Sequence, residues 1–298
     1  MAFQPHPDSP ASLYKYTTAN TALLILHNGT LQVSRPTVFN DLFDMNINLG
    51  IEVGNEPAVV EHILDQLWEG LYGSGPLQDR NTFGRGIAIM RRFFTTPNNP
   101  EKWRDDMRPS IAQGVRDRHA IAQDLSVKLA EQCAVFKILC LSDSGTIAPM
   151  WGTYADTLQG VVLQFTPKTE ESFFRAALPV RYEGPPIVLN EQQYIDWRSG
   201  RLALDDIDLF SMFVFTKDPA WSYEHEWRIF FGAGHKPDAD REYEDFAPED
   251  LEAVIFGNRI DADLQRKIAG LVADRYKSCR LRRVVKPVAG AAYVIEDI

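Results

Sequence analysis

Hydrophobic residues along this chain recur with two different periods, and the two are interleaved rather than segregated. "SLYKYTT" at 12–18 mixes aromatic and polar residues as a short strand does. "ANTALLILHNG" then places apolar side chains on one side of a helix and ends on Gly29, where a C-cap belongs. "TLQVSRP" predicts a second strand stopped by Pro36, and "TVFNDLFD" a turn at Asn40-Asp41 between Phe39 and Phe43. Residues 57–72 and about 84–133 change to apolar positions three and four apart, the helical period. Asn98-Asn99-Pro100 marks a turn between helices there, and Gly114 argues against one unbroken helix.

Strand-like runs return with "AVFKILCLSD", "QGVVLQFTP" and "LPVRYEG", the first two separated by a short helix or turn in "IAPMWGTYADT". One or two helices follow over 191–215, then the strands "WSYEHEWRIFF" and "LEAVIFG", a helix at 261–275, and "CRLRRVVKP". Strands and helices mingle without strict strand–helix–strand alternation. That order predicts an α+β fold with a mixed or antiparallel sheet, organised as a single domain over 1–298 with a helical insertion at about 57–133.

Composition narrows the classes. In 298 residues, 45% are hydrophobic and 24% charged, enough for a core without disulfides or metal. The three cysteines, Cys133, Cys140 and Cys279, have no paired spacing. No apolar run spans a bilayer and no leader pattern opens the chain, so a soluble cytoplasmic protein without membrane partners is expected. A formal charge of −10 disfavours nucleic acid as a partner, although residues 266–286 are locally basic.

Known motifs are missing: no G-x-G-x-x-G, no phosphate-binding G-x-x-x-x-G-K, no H-E-x-x-H and no G-x-S-x-G. Six scattered histidines argue for no metal site. What stands out is polar and aromatic material at strand ends. Tyr14, Lys15 and Tyr16 occupy the first strand; Ser34, Arg35 and Asn40 end the second; Trp151 and Tyr154 follow Met150. Each aromatic is by itself best read as packing, and each small polar residue as a turn former. Glu224, Glu226 and Arg228 lie two apart, so a strand would point all three to one face, with Tyr223, His225, Trp227, Ile229 and Phe231 opposite. A solvent-facing strand would explain them, and so would a site.

Together, "LYKYTTANTALLILHNGTLQVSRPTVFNDLFD", "CLSDSGTIAPMWGTYADTLQGVVLQF" and "WSYEHEWRIFF" resemble, in order, a bacterial family of unknown function, DUF2971, over residues 13 to about 257. Leu42 stands where that family usually has proline, and Thr153 where it usually has histidine. The layout is also similar to ADP-ribosyltransferase folds, which implies a first-strand Arg or His, a G-x-L strand and a late catalytic glutamate. Lys15 would take the first-strand position, Glu226 would be the catalytic carboxylate, and Glu224 would orient the acceptor or raise the pKa of Glu226 by like-charge repulsion. Tyr14, Tyr16, Trp151 or Tyr154 would contact the ligand, Tyr16, Trp151 or Tyr154 by stacking on nicotinamide. Ser34 and Asn40 would supply polar contacts, and Lys15 or Arg35 would hold the pyrophosphate. Arg228 completes the set. The resemblance implies NAD as substrate, a macromolecular acceptor, and a toxin or phage-defence setting. Two alternatives stay open: a ligand-binding or sensor module without turnover, and metal-dependent nucleic-acid cleavage by Asp41, Asp44, Glu224 and Glu226.

Overall fold

A computed structural model describes residues 3–41, 44–45, 48–183, 187–286, 288 and 291–298. Leu42 and Phe43, singled out above, and Gly184 of "LPVRYEG" lie outside the described residues. The fold is mixed α+β, and its contacts cluster into two compact units: 1–44, 133–184 and 215–298 form one, and 45–132 with 185–214 the other.

The first unit is built on a mixed sheet. Its strands are β1 (Leu13–Thr17), β2 (Thr30–Ser34), β4 (Ile138–Ser142), β5 (Val161–Phe165), β6 (Leu178–Pro179), β8 (Glu226–Phe230), β9 (Arg241–Asp245), β10 (Leu251–Phe256), β11 (Arg280–Val285) and β12 (Val294–Asp297), while β3 (Leu49–Ile51) and β7 (Ile187–Leu189) belong to the second unit. The order runs β12-β11-β10-β5-β1-β4-β2-β9, with β8 between β4 and β6; β10 and β11 are parallel and the other pairs antiparallel. Helix α1 (Ala19–Asn28) joins β1 to β2. Thr18 caps its start by accepting from the Thr21 amide, and Gly29 ends it at φ 71°, where a side chain would be strained. Helix α9 (Ala262–Arg275) packs beside α1, and the Tyr276 hydroxyl donates to the Leu26 carbonyl.

Strand alternation divides the chemistry of the sheet. Leu139 and Leu141 of β4, with Trp227 and Ile229 of β8, enter the main apolar core beside Leu31, Val33 and Phe256. Their neighbours Cys140, Glu226 and Arg228 are thereby sent to the other face. That face also carries a smaller core of Tyr16, Met150, Trp151 and Val162, with Met150 and Trp151 on α6 (Ala148–Thr153).

One feature of the register positions the site. Strand β4 pairs with β8 along its whole length, from Ile138↔Phe230 to Ser142↔Glu226. On its other edge it meets β1 only at Tyr14↔Ser142 and β2 only at Ser34↔Ile138. Strands β1 and β2 therefore part in front of the middle of β4, and the sheet forks there.

The second unit holds α2 (Glu56–Tyr72), α3 (Thr82–Met90), α4 (Pro100–Arg116), α5 (Arg118–Cys133, whose last residue belongs to the first unit), α7 (Glu191–Arg198), α8 (Leu209–Val214) and the parallel pair β3 (Leu49–Ile51) and β7 (Ile187–Leu189). Asn55 and Asn99 cap α2 and α4, each ahead of a proline in the first turn, which explains why the helices begin there. Trp68, Tyr72 and Trp103 form its aromatic cluster. Gly114 does not interrupt α4, which runs on to Arg116 and is capped at Asp117.

Two expectations need correction. Among its described residues "LPVRYEG" forms only the two-residue β6, with an isolated bridge at Arg181↔Thr216; Val180 still donates to the Glu226 carbonyl, but the Glu226 amide turns to the Tyr182 hydroxyl and the ladder ends there. "WSYEHEWRIFF" is not one strand. Residues Pro219–Glu224 form a 3-10 turn capped by Asp218, and His225 turns the chain at φ 46° before β8 begins at Glu226. His225 consequently stays exposed, its Nδ1 3.2 Å from Asp143 Oδ1, instead of joining Trp227 and Ile229 in the core.

Candidate functional site

The fork between β1 and β2 opens a cleft of about 430 Å3. Its floor is the unpaired edge of the middle of β4, where the Lys15 ammonium donates to the Cys140 carbonyl at 2.9 Å and supplies a partner the missing strand would have given. Lys15, Tyr16 and Thr17 line one side, Gln32 and Ser34 the other, and Asn40 with Tyr154 one end.

Five charged side chains, all 5% exposed or less, meet below that end: Asp44, Lys217, Glu224, Glu226 and Arg228. Strand β8 places Glu226 and Arg228 on one face, and the guanidinium clamps Glu226 through Nε at 2.8 Å and Nη2 at 3.0 Å. Arg228 Nη2 also donates to Asp44 Oδ2 at 2.6 Å. Lys217 bridges the remaining carboxylates, with its ammonium 2.6 Å from Glu224 Oε2 and 3.1 Å from Glu226 Oε2. Tyr154 donates to Glu224 Oε1 at 2.6 Å and accepts from the Asn40 amide at 2.8 Å. The backbone is fixed too: the Glu226 amide donates to the Tyr182 hydroxyl at 2.7 Å, and the Ser142 hydroxyl donates to the Glu224 carbonyl at 2.7 Å.

The same surroundings separate the two glutamates. Burial by itself would raise the Glu226 carboxyl, but Arg228 and Lys217 hold it down at about 2. Glu224 goes the other way: burial raises it, despite its hydrogen bonds from Lys217 and Tyr154. Burial likewise raises Asp44 against the attraction of Arg228, and Glu226 adds to the rise. Burial would lower the Lys217 ammonium, yet Glu226 and Asp44 overcome that and hold it charged. Neighbouring carboxyls thus differ in proton affinity, an arrangement suited to keeping one ionised beside another that exchanges protons.

Eight of the eleven residues expected from sequence line the cleft: Tyr14, Lys15, Tyr16, Ser34, Asn40, Tyr154, Glu224 and Glu226. Three do not. Trp151 is fully buried, its indole donating to the Gly145 carbonyl at 2.9 Å and its ring edge-on to Tyr16, so neither face is open to a ligand ring. Arg35 is bound to Asp240 and the Pro237 carbonyl beside β9. Arg228 is fully buried and acts through Glu226 and Asp44. Tyr16 reaches the cleft, but its hydroxyl is engaged by the Ser144 carbonyl and the Ile147 amide. Thr153 lies exposed on α6, outside the lining, and the half-buried Asp41 is outside it as well.

Lys217, Tyr182 and Cys140 were not singled out from sequence. Lys217 follows the apolar "FVF" without any motif, and only its approach to three carboxylates gives it meaning. Asp44, Glu224 and Glu226 do converge, but the positive charge among them comes from Lys217 and Arg228. Among the described residues, no group of three or more His, Cys, Asp or Glu is arranged to hold a metal ion, and no helix is long and apolar enough to cross a membrane.

Residues 150–229 match the model of a family described as "Protein of unknown function (DUF2971)". The matched stretch includes Tyr154, Lys217, Glu224, Glu226 and Arg228, and excludes β1 and β2. Searches of the curated proteins and of the solved structures returned no match.

Proposed function

We propose that the cleft binds NAD and that the chain is an ADP-ribosyltransferase-like enzyme acting on a macromolecular acceptor. The observation that carries this reading is the convergence of first-strand Lys15 with Asn40, Tyr154, Glu224 and Glu226 on one cleft at the fork of the sheet. Cleavage of the bond between nicotinamide and ribose releases neutral nicotinamide and develops positive charge on the sugar; an ionised carboxylate beside it lowers the barrier. Glu226, held at about 2, is ionised at neutral pH. The acceptor must lose a proton as its bond to ribose forms, and Glu224, with its raised carboxyl, is suited to receive one. Lys15 would hold phosphate at the cleft.

The test is nicotinamide release from NAD by the parent chain and by Glu226→Gln and Glu224→Gln, with circular dichroism as the control for folding. Release by the parent and a loss of about 100-fold or more in folded Glu226→Gln are expected. Unchanged turnover in that variant would overturn the assignment. One observation favours a second reading, a binding module without turnover: both oxygens of Glu226 are engaged by Arg228 and Lys217. On that reading NAD binds, binding survives Glu226→Gln, and no nicotinamide is released by the parent.

A further inference from the structure

The buried cluster is not balanced. Three carboxylates (Asp44, Glu224, Glu226) face two cations (Lys217, Arg228), which leaves one formal negative charge on side chains that are 5% exposed or less. Five of the six carboxylate oxygens receive a donor from Arg228, Lys217 or Tyr154. The sixth, Asp44 Oδ1, is buried and has none among the described residues. An orphaned carboxylate oxygen in such a place carries a free-energy cost that a ligand can relieve. Asp44 is 3% exposed at its side chain and belongs to the lining of the cleft, so what relieves it arrives from the cleft.

We propose that Asp44 makes the cleft selective for a ligand whose group beside Glu224 and Glu226 carries a positive charge; resting on the NAD reading, that group is the cationic nicotinamide end. Asp44 is held in place by Arg228, which also holds Glu226, so the excess negative charge sits next to the carboxylate assigned to the reaction. The groups facing Asp44 are Arg228 and Glu226 from β8 and Lys217 from the segment before it. None of them supplies the third cation that would neutralise the set. A neutral ligand of the same shape would leave the net charge uncompensated, whereas a cationic ring cancels it at short range.

The probes are NAD and NADH, which share the dinucleotide and differ in the charge of the nicotinamide ring. Both are titrated calorimetrically into the full chain and into Asp44→Asn, which keeps the side-chain volume and an acceptor for Arg228. In the parent, NAD is expected to bind roughly tenfold more tightly than NADH or better. In Asp44→Asn that ratio is expected to collapse toward one, chiefly through weaker NAD binding. Equal affinities in the parent would overturn the inference while leaving the NAD reading standing. An undiminished ratio in folded Asp44→Asn would overturn the role of Asp44. Binding of neither dinucleotide would overturn the NAD reading and this inference together. The ratio in the parent needs no variant, so a misfolded Asp44→Asn does not spare the proposal.

Discussion

Replacing Lys217 with methionine removes the ammonium that joins the three carboxylates while keeping most of the side-chain volume. Its nitrogen is 2.6 Å from Glu224, 3.1 Å from Glu226 and 3.6 Å from Asp44. At an effective dielectric of about 20, a unit pair at 2.6 Å attracts by about 6 kcal/mol, much of which offsets the cost of burying the ammonium. Removing one partner also strands the others, and buried pairs broken in this way lose about 3–5 kcal/mol. The variant would hold three carboxylates against Arg228 alone. Urea unfolding followed by circular dichroism at pH 7.5 and pH 5 measures the loss. At pH 7.5 a loss of about 3–5 kcal/mol is expected. At pH 5 the deficit is expected to shrink by about 1 kcal/mol or more, because protons on Glu224 and Asp44 cancel the stranded charge. Both carboxyls are already raised in the parent, so the folded state binds more protons than the unfolded chain and lowering the pH favours it. A loss below about 1 kcal/mol, or one identical at both pH values, would refute this electrostatic reasoning.

Tyr154→Phe removes the 2.6 Å donor to Glu224 and the acceptor of Asn40, and is expected to cost about 1–2 kcal/mol. NMR titration should also show the Glu224 carboxyl rising further. Gly257→Ala would drive a Cβ into the Leu158 carbonyl oxygen, in a loop where Leu158 already sits at φ 67°. Thermal and urea unfolding should show a loss of about 3 kcal/mol. Glu226, held at about 2, makes a contribution that is complete above its unfolded value near 4.5 and lost as the pH falls through about 2. That contribution amounts to about 3 kcal/mol, and acid unfolding of Glu226→Gln should lack it.

The sheet was legible where a strand is buried on both faces and reads as a short apolar run bounded by turn residues. Strands β4, β5 and β10, helix α1 and its Gly29 cap follow from apolar patterning and turn chemistry. Strand β9 was missed because "REYED" is charged on an exposed edge, where its only fully sheltered anchor is Glu242, held by the His235 and Lys236 amides. Strands β3, β7 and β12 are three or four residues long, too short for a period to register. The two glutamates were found, but a strand was expected to hold both; the turn at His225 brings Glu224 in from a 3-10 segment instead. Lys217 could not be read, because its role depends on contacts with Asp44, far away in sequence, and with two glutamates on separate elements. The burial of Trp151 illustrates the converse: an aromatic beside the site is packing unless a face of its ring is open.

Calorimetric titration of the purified chain with NAD tests the central claim most directly, because it needs no knowledge of the acceptor. Saturable binding near one NAD per chain, weakened by Lys15→Met at the cleft and unaffected by Arg35→Met outside it, is expected. A flat titration with concentrated protein and ligand would contradict the claim and leave the Asp44–Lys217–Glu224–Glu226–Arg228 cluster at one end of a cleft for a different ligand.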